Sequence, residues 1–215
     1  MNMWGYKLTV IGIYAPKEDN GAAVKDQFFA NLNEEIVKSG SGRQLILMGD
    51  MHGRTGRRTG DTVIGHFGED GVKNNGERLI ELCTQTSLKI WNGFFTHKNV
   101  HKYTWAQCTK NLKTLIDYII TKQDLKLKIQ NVRAYRGPNC GTDHKLLIAK
   151  ILLPCMYTTK DKHEEKKGNA VIMETKVTNQ NCMCEYSTVQ YSTVQYSTAQ
   201  HSTVQYSTVQ YSTLQ

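Results

Sequence analysis

The chain has 215 residues, 39% of them hydrophobic, and a formal net charge of +8 at pH 7. This length can bury one sizeable core, and the longest early apolar stretch, at 8–15, is far shorter than the ~20 residues of a membrane-spanning helix. Residues 155–185 hold five lysines and five acids, and 186–215 hold no charge, so the whole excess lies on 1–154. A basic domain favours nucleic acid or phosphate esters as its partner, and the alternative is scattered lysines without such a partner.

The elements predicted in the first half alternate between strands and helices. Val, Ile and Tyr alternate in the first strand, and apolar residues recur at helical spacing in both helices. The patterns predict, in chain order, a strand at 7–15, a helix at 22–38, a strand at 44–49, a surface loop at 53–74 and a helix at 75–86.

The second half is predicted to be mostly strands. They are expected at 88–95, 103–107, 114–121, 130–136 and 144–153, with 103–107 and 114–121 forming a hairpin. Strands that first alternate with helices and then follow one another favour an α/β (α+β) domain with layered, largely antiparallel sheets.

Composition divides the chain into three predicted parts. Residues 1–154 form the domain, and 155–185 form a charged linker without apolar periodicity. Residues 186–215 repeat YSTVQ with period five, which fits neither a strand face nor a helix face. The repeats are predicted to be a disordered C-terminal tail with some β tendency, and we interpret them as a translated tandem DNA repeat, with a binding array as the alternative.

The cysteines predict no disulfide framework and no zinc site. They are scattered at 83, 108, 140, 155, 182 and 184, and Cys182-x-Cys184 lacks a second pair. We interpret them as reduced thiols of an intracellular protein, nuclear or cytoplasmic. The stretch at 8–15 lacks a signal-peptide cleavage pattern, and no membrane association is predicted.

Three short segments carry the residue types of a phosphate or metal site. Asp50 ends an apolar run, Asp117 is a lone acid within an apolar strand, and Asp143 and His144 precede the last apolar strand. Burying a carboxylate such as Asp117 is costly unless it is paired, and His144 is the natural partner. Such a pair fixes the imidazole tautomer and leaves one nitrogen for acid–base chemistry. Asp50 and Asp143 can then offer oxygen ligands to a hard cation such as Mg²⁺.

Six blocks in this order resemble the endonuclease/exonuclease/phosphatase superfamily, in particular retrotransposon-encoded apurinic-type endonucleases. They are LTVIGIYAPKED (8–19), LILMGDMHGRTG (45–56), NNGERLIELC (74–83), YTWAQ (103–107), IDYII (116–120) and NVRAYRGPNCGTDHKLLIAKI (131–151). The resemblance covers 7 to about 153. It implies a deoxyribonuclease I-like fold, here a partial four-layer α/β/β/α sandwich.

The resemblance also implies a reaction, the Mg²⁺-dependent hydrolysis of a phosphodiester in DNA. His144 would act at the phosphate with Asp117 as its orienting carboxylate. Asp143 would help to hold the cation, Asp50 would orient the attacking water, and Tyr14 would contact the scissile phosphate.

Two departures from the superfamily predict that activity is impaired or lost. The residue two after the Gly-Asp aspartate is asparagine in the superfamily and His52 here, and losing one preorganised group can cost about 3 kcal/mol of barrier. The alternative is that His52 still donates a hydrogen bond or ligates a metal. The superfamily's first strand and its cation-binding glutamate are also expected upstream of Met1, and the sequence shows neither.

Two other functions remain open at this point. One is a non-catalytic nucleic-acid-binding or scaffold protein that uses a basic face for phosphate contacts. The other is a translated fragment without selected function. The basic face is predicted to comprise Arg54, Arg57, Arg58, Lys122, Lys126 and Lys128.

Overall fold

The computed structural model describes residues 2–3, 6–40, 42–135, 142–152, 170–177, 187–194 and 205–210. Its strands are β1 (Asn2–Met3), β2 (Tyr6–Tyr14), β3 (Gln44–Asp50), β4 (Leu88–Ile90), β5 (Trp105–Gln107), β6 (Leu112–Thr114), β7 (Asp117–Lys122), β8 (Lys128–Tyr135), β9 (Leu146–Leu152), β10 (Ala170–Val177), β11 (Ser187–Val194) and β12 (Gln205–Gln210). Its α-helices are α1 (Ala22–Lys38) and α2 (Asn74–Gln85), and 3₁₀ helices cover Trp91–Phe94, Asn99–His101 and Cys108–Lys110.

The first sheet has the strand order β1-β2-β3-β7-β4. β2 and β3 pair in parallel, and the other neighbours pair antiparallel. β3 is buried from Leu45 to Asp50, because both faces of the sheet are covered there. The burial of both faces explains why the sequence of β3 is an uninterrupted apolar run rather than an alternating one.

The second sheet is antiparallel throughout, in the order β12-β11-β10-β9-β8. Burial nearly alternates along β8, so one face of that strand points into the protein and the other towards solvent. A third, two-stranded sheet joins β5 to β6.

The described residues form three layers, α/β/β. Phe29 of α1 and Leu79 of α2 pack with Leu47 of β3 in a core on one face of the first sheet. On the other face, Ile46 packs in a second core that includes Val132 of the second sheet. The α+β class with largely antiparallel sheets is therefore confirmed. The described residues supply no helix on the outer face of the second sheet, where a full four-layer sandwich has its last layer.

Two predicted elements differ in the structure. The predicted strand 88–95 ends at Ile90, and Trp91–Phe94 is a 3₁₀ helix. Asn92 stabilises this turn because its side-chain amide donates to the Asp117 carbonyl and accepts from the Ile119 amide. The predicted hairpin of 103–107 with 114–121 is also wrong, since β5 pairs with β6 and β7 enters the first sheet.

Three strands lie in the segments predicted to be linker and tail. β10 pairs with β9, β11 with β10, and β12 with β11, all antiparallel. The β tendency of the Tyr, Thr and Val residues is therefore expressed at 187–194 and 205–210. The remainder of the predicted linker and tail lies outside the described residues. Within the described ranges, no helix is both long and apolar enough to cross a membrane.

Candidate active site

Three polar residues lie side by side on the three central strands of the first sheet, β2, β3 and β7. In the strand register Tyr14 is opposite Asp50, and Asp50 is opposite Asp117. The carboxyl ends of β2 and β3 therefore meet the amino end of β7 at one rim of the sheet. Asp50 and Asp117 are both buried there, at 0% and 2% exposure, so each carboxylate needs a partner.

His144 supplies the partner of Asp117. Its Nδ1 lies 3.1 Å from Asp117 Oδ2 and 3.3 Å from Oδ1, so Nδ1–H donates to the carboxylate. The buried Thr104 hydroxyl accepts from the Asp117 amide at 3.1 Å, and the Thr104 carbonyl accepts from the Lys145 amide at 2.6 Å. Thr104 thus ties the segments carrying the two members of the pair together.

The charge of His144 follows from these neighbours. Burial lowers its pKa, but the hydrogen bond to Asp117 and the charges of Asp117, Asp50 and Asp143 outweigh burial and raise the pKa to about 9. His144 is therefore an imidazolium at neutral pH in the metal-free protein. Its Nε2 lies 3.8 Å from Asp50 Oδ2.

Asp50 is the least satisfied group of the site. Its Oδ1 accepts from the His52 amide at 2.7 Å, whereas its buried Oδ2 has no hydrogen-bond partner. Burial raises its pKa to about 7, with the nearby charge of Asp117 as the next cause. Asp50 can therefore take up or release a proton near neutral pH.

His52 lies directly against this carboxylate. Its Nδ1 donates to the Ala15 carbonyl at 2.8 Å, and its ring meets the Tyr14 ring edge-on with centroids 4.9 Å apart. Burial lowers the pKa of His52, so its Nε2 is an unprotonated acceptor at neutral pH. This Nε2 lies 3.1 Å from Asp50 Oδ2. Two acceptors face each other across that distance, and they need a proton or a cation between them.

The geometry suits a cation, although one predicted ligand does not join the cluster. Ligand atoms of Asp50, Asp117 and His144 lie within 4.8 Å of one another, and the open Oδ2 of Asp50 is an oxygen donor of the type that Mg²⁺ takes together with waters and substrate phosphate. Asp143, the predicted metal ligand, is exposed, and its Oδ2 accepts from the Trp105 indole at 2.6 Å. Its role as a ligand stays a prediction.

The predicted basic face is divided. Arg54, Arg57 and Arg58 follow β3 on the side of the site, and they pair with Glu69, Asp70 and Asp61, respectively. Lys122 and Lys126 hydrogen-bond to Gly40 and Gln44 at the amino end of β3. Six residue steps of β3 separate the two groups by about 20 Å. The arginines and these two lysines therefore lie at opposite ends of β3, and their predicted contacts with phosphate stay a prediction.

Asn75 is a positioning residue that the sequence analysis missed. It is fully buried at the start of α2, and its Nδ2 donates to the carbonyls of Pro16, Met51 and His52 at 2.8–3.4 Å. It therefore joins the loop after β2 to the loop after β3. The dipeptide Asn74-Asn75 at the start of an apolar helical pattern could have indicated it, because asparagine is typical of helix starts.

Asn75→Ala is expected to destabilise the fold by about 2 kcal/mol, because buried carbonyls lose their donor. Chemical denaturation measures the change, and Asn99→Ala on an exposed 3₁₀ turn is the control. Equal stability of Asn75→Ala and the unmodified protein would contradict this role.

No protein-family model matches the chain. It is 32% identical over 148 residues to craniofacial development protein 2 of Bos taurus and 31% identical over 148 residues to that of Tragulus javanicus. The chain is related to these proteins. The matches cover 69% of this chain and 25–26% of each relative, so the chain spans about a quarter of their length. The sequence motifs also predict this relationship, and it is confirmed. Membership of the endonuclease/exonuclease/phosphatase superfamily and the likeness to retrotransposon-encoded endonucleases stay predictions.

Proposed function

We propose that the chain carries a site for metal-assisted hydrolysis of phosphodiesters in DNA, at a rate reduced by His52. The observation that carries this proposal is the pairing of His144 with Asp117 beside the orphaned carboxylate oxygen of Asp50. A protonated histidine and a carboxylate with a raised pKa, a few ångströms apart, are the acid and base that such a reaction requires.

Each residue has a distinct part in this reaction. Asp117 holds His144 through Nδ1, so that the protonated Nε2 faces the reacting phosphate and stabilises its developing charge. Asp50 accepts a proton from the attacking water, which its pKa of about 7 permits near neutral pH. Mg²⁺, when bound, would neutralise charge on the phosphoryl oxygens.

His52 interferes with the base. In the metal-free protein, a proton shared between Asp50 Oδ2 and His52 Nε2, which lie 3.1 Å apart, would occupy the oxygen that the attacking water uses. His52 also has a φ of 44°, a left-handed conformation that asparagine tolerates better than histidine. His52→Asn is therefore expected to raise the hydrolysis rate about 10-fold or more, because it replaces an imidazole nitrogen that competes for the proton of Asp50 with an amide that can donate to it.

DNA is the proposed substrate because residues 1–154 carry the whole net charge of +8. The pairing of the three arginines with acids limits their share of this attraction. Binding is therefore expected to be weak and to decline steeply with salt.

A plasmid-nicking assay tests the proposal. Supercoiled plasmid is incubated with the protein and Mg²⁺ at neutral pH, with EDTA in a parallel sample. Nicking is expected from the unmodified protein and more strongly from His52→Asn, and none from His144→Ala. The exposed histidine His66, changed to Ala, is the matched control and should leave nicking unchanged.

Two results would overturn the proposal. The first is absence of nicking by both the unmodified protein and His52→Asn. The second is equal nicking by His144→Ala, which would trace the signal to a contaminating nuclease. Asp143→Ala adds information on the cation, since loss of nicking there that excess Mg²⁺ restores would support the predicted ligand.

A further inference from the structure

We propose that His52, His144 and Asp50 form a binding site for a divalent transition metal of the zinc class, and that this metal inhibits the proposed hydrolysis. The metal would bind to His52 Nε2, His144 Nε2 and Asp50 Oδ2. Its binding does not depend on the proposed function, whereas its inhibitory effect rests on that function, because it would occupy the nitrogen of His144 and the oxygen of Asp50 that the reaction uses.

The first argument is the orientation of the two imidazoles. His52 Nδ1 donates to the Ala15 carbonyl, and His144 Nδ1 donates to the Asp117 carboxylate. Metal-binding histidines in proteins are typically held in this way, with the other nitrogen turned to a carbonyl or a carboxylate. Each Nε2 thereby faces Asp50 Oδ2, and a metal that binds there would release to solvent the proton that His144 Nε2 carries.

The second argument is the orphaned oxygen between them. Asp50 is fully buried and its Oδ2 has no hydrogen-bond partner, yet this atom lies 3.1 Å from His52 Nε2 and 3.8 Å from His144 Nε2. Bonds of about 2.0–2.1 Å at tetrahedral angles separate ligand atoms by about 3.3 Å. His52 Nε2 meets the cluster of ligand atoms through Asp50 Oδ2, so the two imidazoles would have to turn towards each other before one ion could bind all three atoms, with a fourth position open for water.

The third argument is the chemical type of the donors. Two imidazole nitrogens and one carboxylate oxygen suit zinc, cobalt, nickel or copper ions, whereas Mg²⁺ prefers oxygen ligands alone. A superfamily asparagine in place of His52 would remove one of the two nitrogens. The substitution that weakens the proposed base thus creates the additional ligand.

Metal binding can be measured without any activity. Protein freed of metal with EDTA and dialysed is titrated with Zn²⁺ in a calorimeter, and with Co²⁺ while visible absorption is recorded. One equivalent is expected, with a Co²⁺ spectrum of four- or five-coordinate character. His52→Asn is expected to weaken binding at least about 10-fold, because one of the three ligands is lost. His66→Ala should bind like the unmodified protein, and millimolar Mg²⁺ should not displace Zn²⁺.

Inhibition is then tested in the nicking assay. One equivalent of Zn²⁺ is expected to stop nicking of DNA by the unmodified protein in Mg²⁺, and His52→Asn should resist it. Zinc binding by the unmodified protein, with no nicking by either that protein or His52→Asn, would defeat the proposed function and leave the metal site standing.

Nicking without zinc binding would support the proposed hydrolysis and overturn the metal site. It would mean that only a proton joins Asp50 to His52. Equal zinc affinity of His52→Asn and the unmodified protein would also overturn the site. Circular dichroism verifies that His52→Asn is folded, and His144→Asn provides a second ligand variant with the same expected loss.

Discussion

Asp117→Asn is expected to reduce nicking of supercoiled DNA about 10³–10⁴-fold, the scale seen when the carboxylate behind a catalytic histidine is replaced by an amide. The amide keeps the shape of the side chain. It can no longer fix the proton on His144 Nδ1, because its nitrogen donates where the carboxylate only accepts. His144 would then adopt the other tautomer or turn away from the phosphate. The matched control is Asp124→Asn in the exposed turn after β7, which should leave nicking unchanged.

The same variant has a readout that requires no activity. In the metal-free protein, a histidine NMR titration is expected to show the pKa of His144 falling from about 9 towards its usual value of 6.5, because Asp117 provides the largest effects that raise it. Unfolding would move the pKa of His144 in the same direction, so circular dichroism must show that Asp117→Asn is folded. Titration of His144 near pH 9 in Asp117→Asn would contradict the pairing.

The raised pKa of His144 also predicts a change of stability with pH. The imidazolium is held more tightly in the folded protein than in the unfolded chain, so its contribution is complete below pH 6.5 and is lost as pH rises through about 9. Asp117→Asn should therefore flatten this part of the stability profile. Urea denaturation at several pH values between 6 and 10, with EDTA present, measures the difference.

The local elements could largely be predicted from sequence, because each is determined by a short period of apolar residues. The predicted helix 22–38 has the same bounds as α1, and the predicted strand 44–49 is one residue shorter than β3. The convergence of Asp50, Asp117, Asp143 and His144 was also predicted, since buried acids at strand ends need partners, and the structure clusters all of them except Asp143. Their catalytic roles stay predictions.

Long-range pairing and side-chain direction could not be predicted in this way. Whether β6 or β7 pairs with β5 depends on tertiary packing, which local period does not encode. The indole of Trp105 binds Asp143 across 38 residues, and no sequence spacing indicates such a contact. The position of His52 Nε2 against Asp50 depends on a left-handed backbone, which few residues other than glycine adopt and which no local pattern indicates.

Gly49→Ala is expected to destabilise the fold by at least about 3 kcal/mol, a large part of the 5–15 kcal/mol that typically stabilises a domain. Gly49 has a φ of 142°, a conformation that L side chains rarely adopt. An added Cβ would also lie 2.0 Å from the Ile13 carbonyl oxygen and 2.9 Å from the Ile13 nitrogen. These are backbone atoms of β2, which can retreat only by breaking the parallel ladder with β3.

Gly49→Ala should also disturb the candidate active site, because the close approach of β2 to β3 at Gly49 places Tyr14 beside Asp50. Urea denaturation of Gly49→Ala, compared with Gly42→Ala, isolates the cause, since a Cβ at Gly42 meets nothing within 4 Å. The control is expected to lie within about 0.5 kcal/mol of the unmodified protein. Equal stability of the two variants would mean that β2 and β3 do not approach as closely as the register requires, and the alignment of Tyr14, Asp50 and Asp117 would lose its basis.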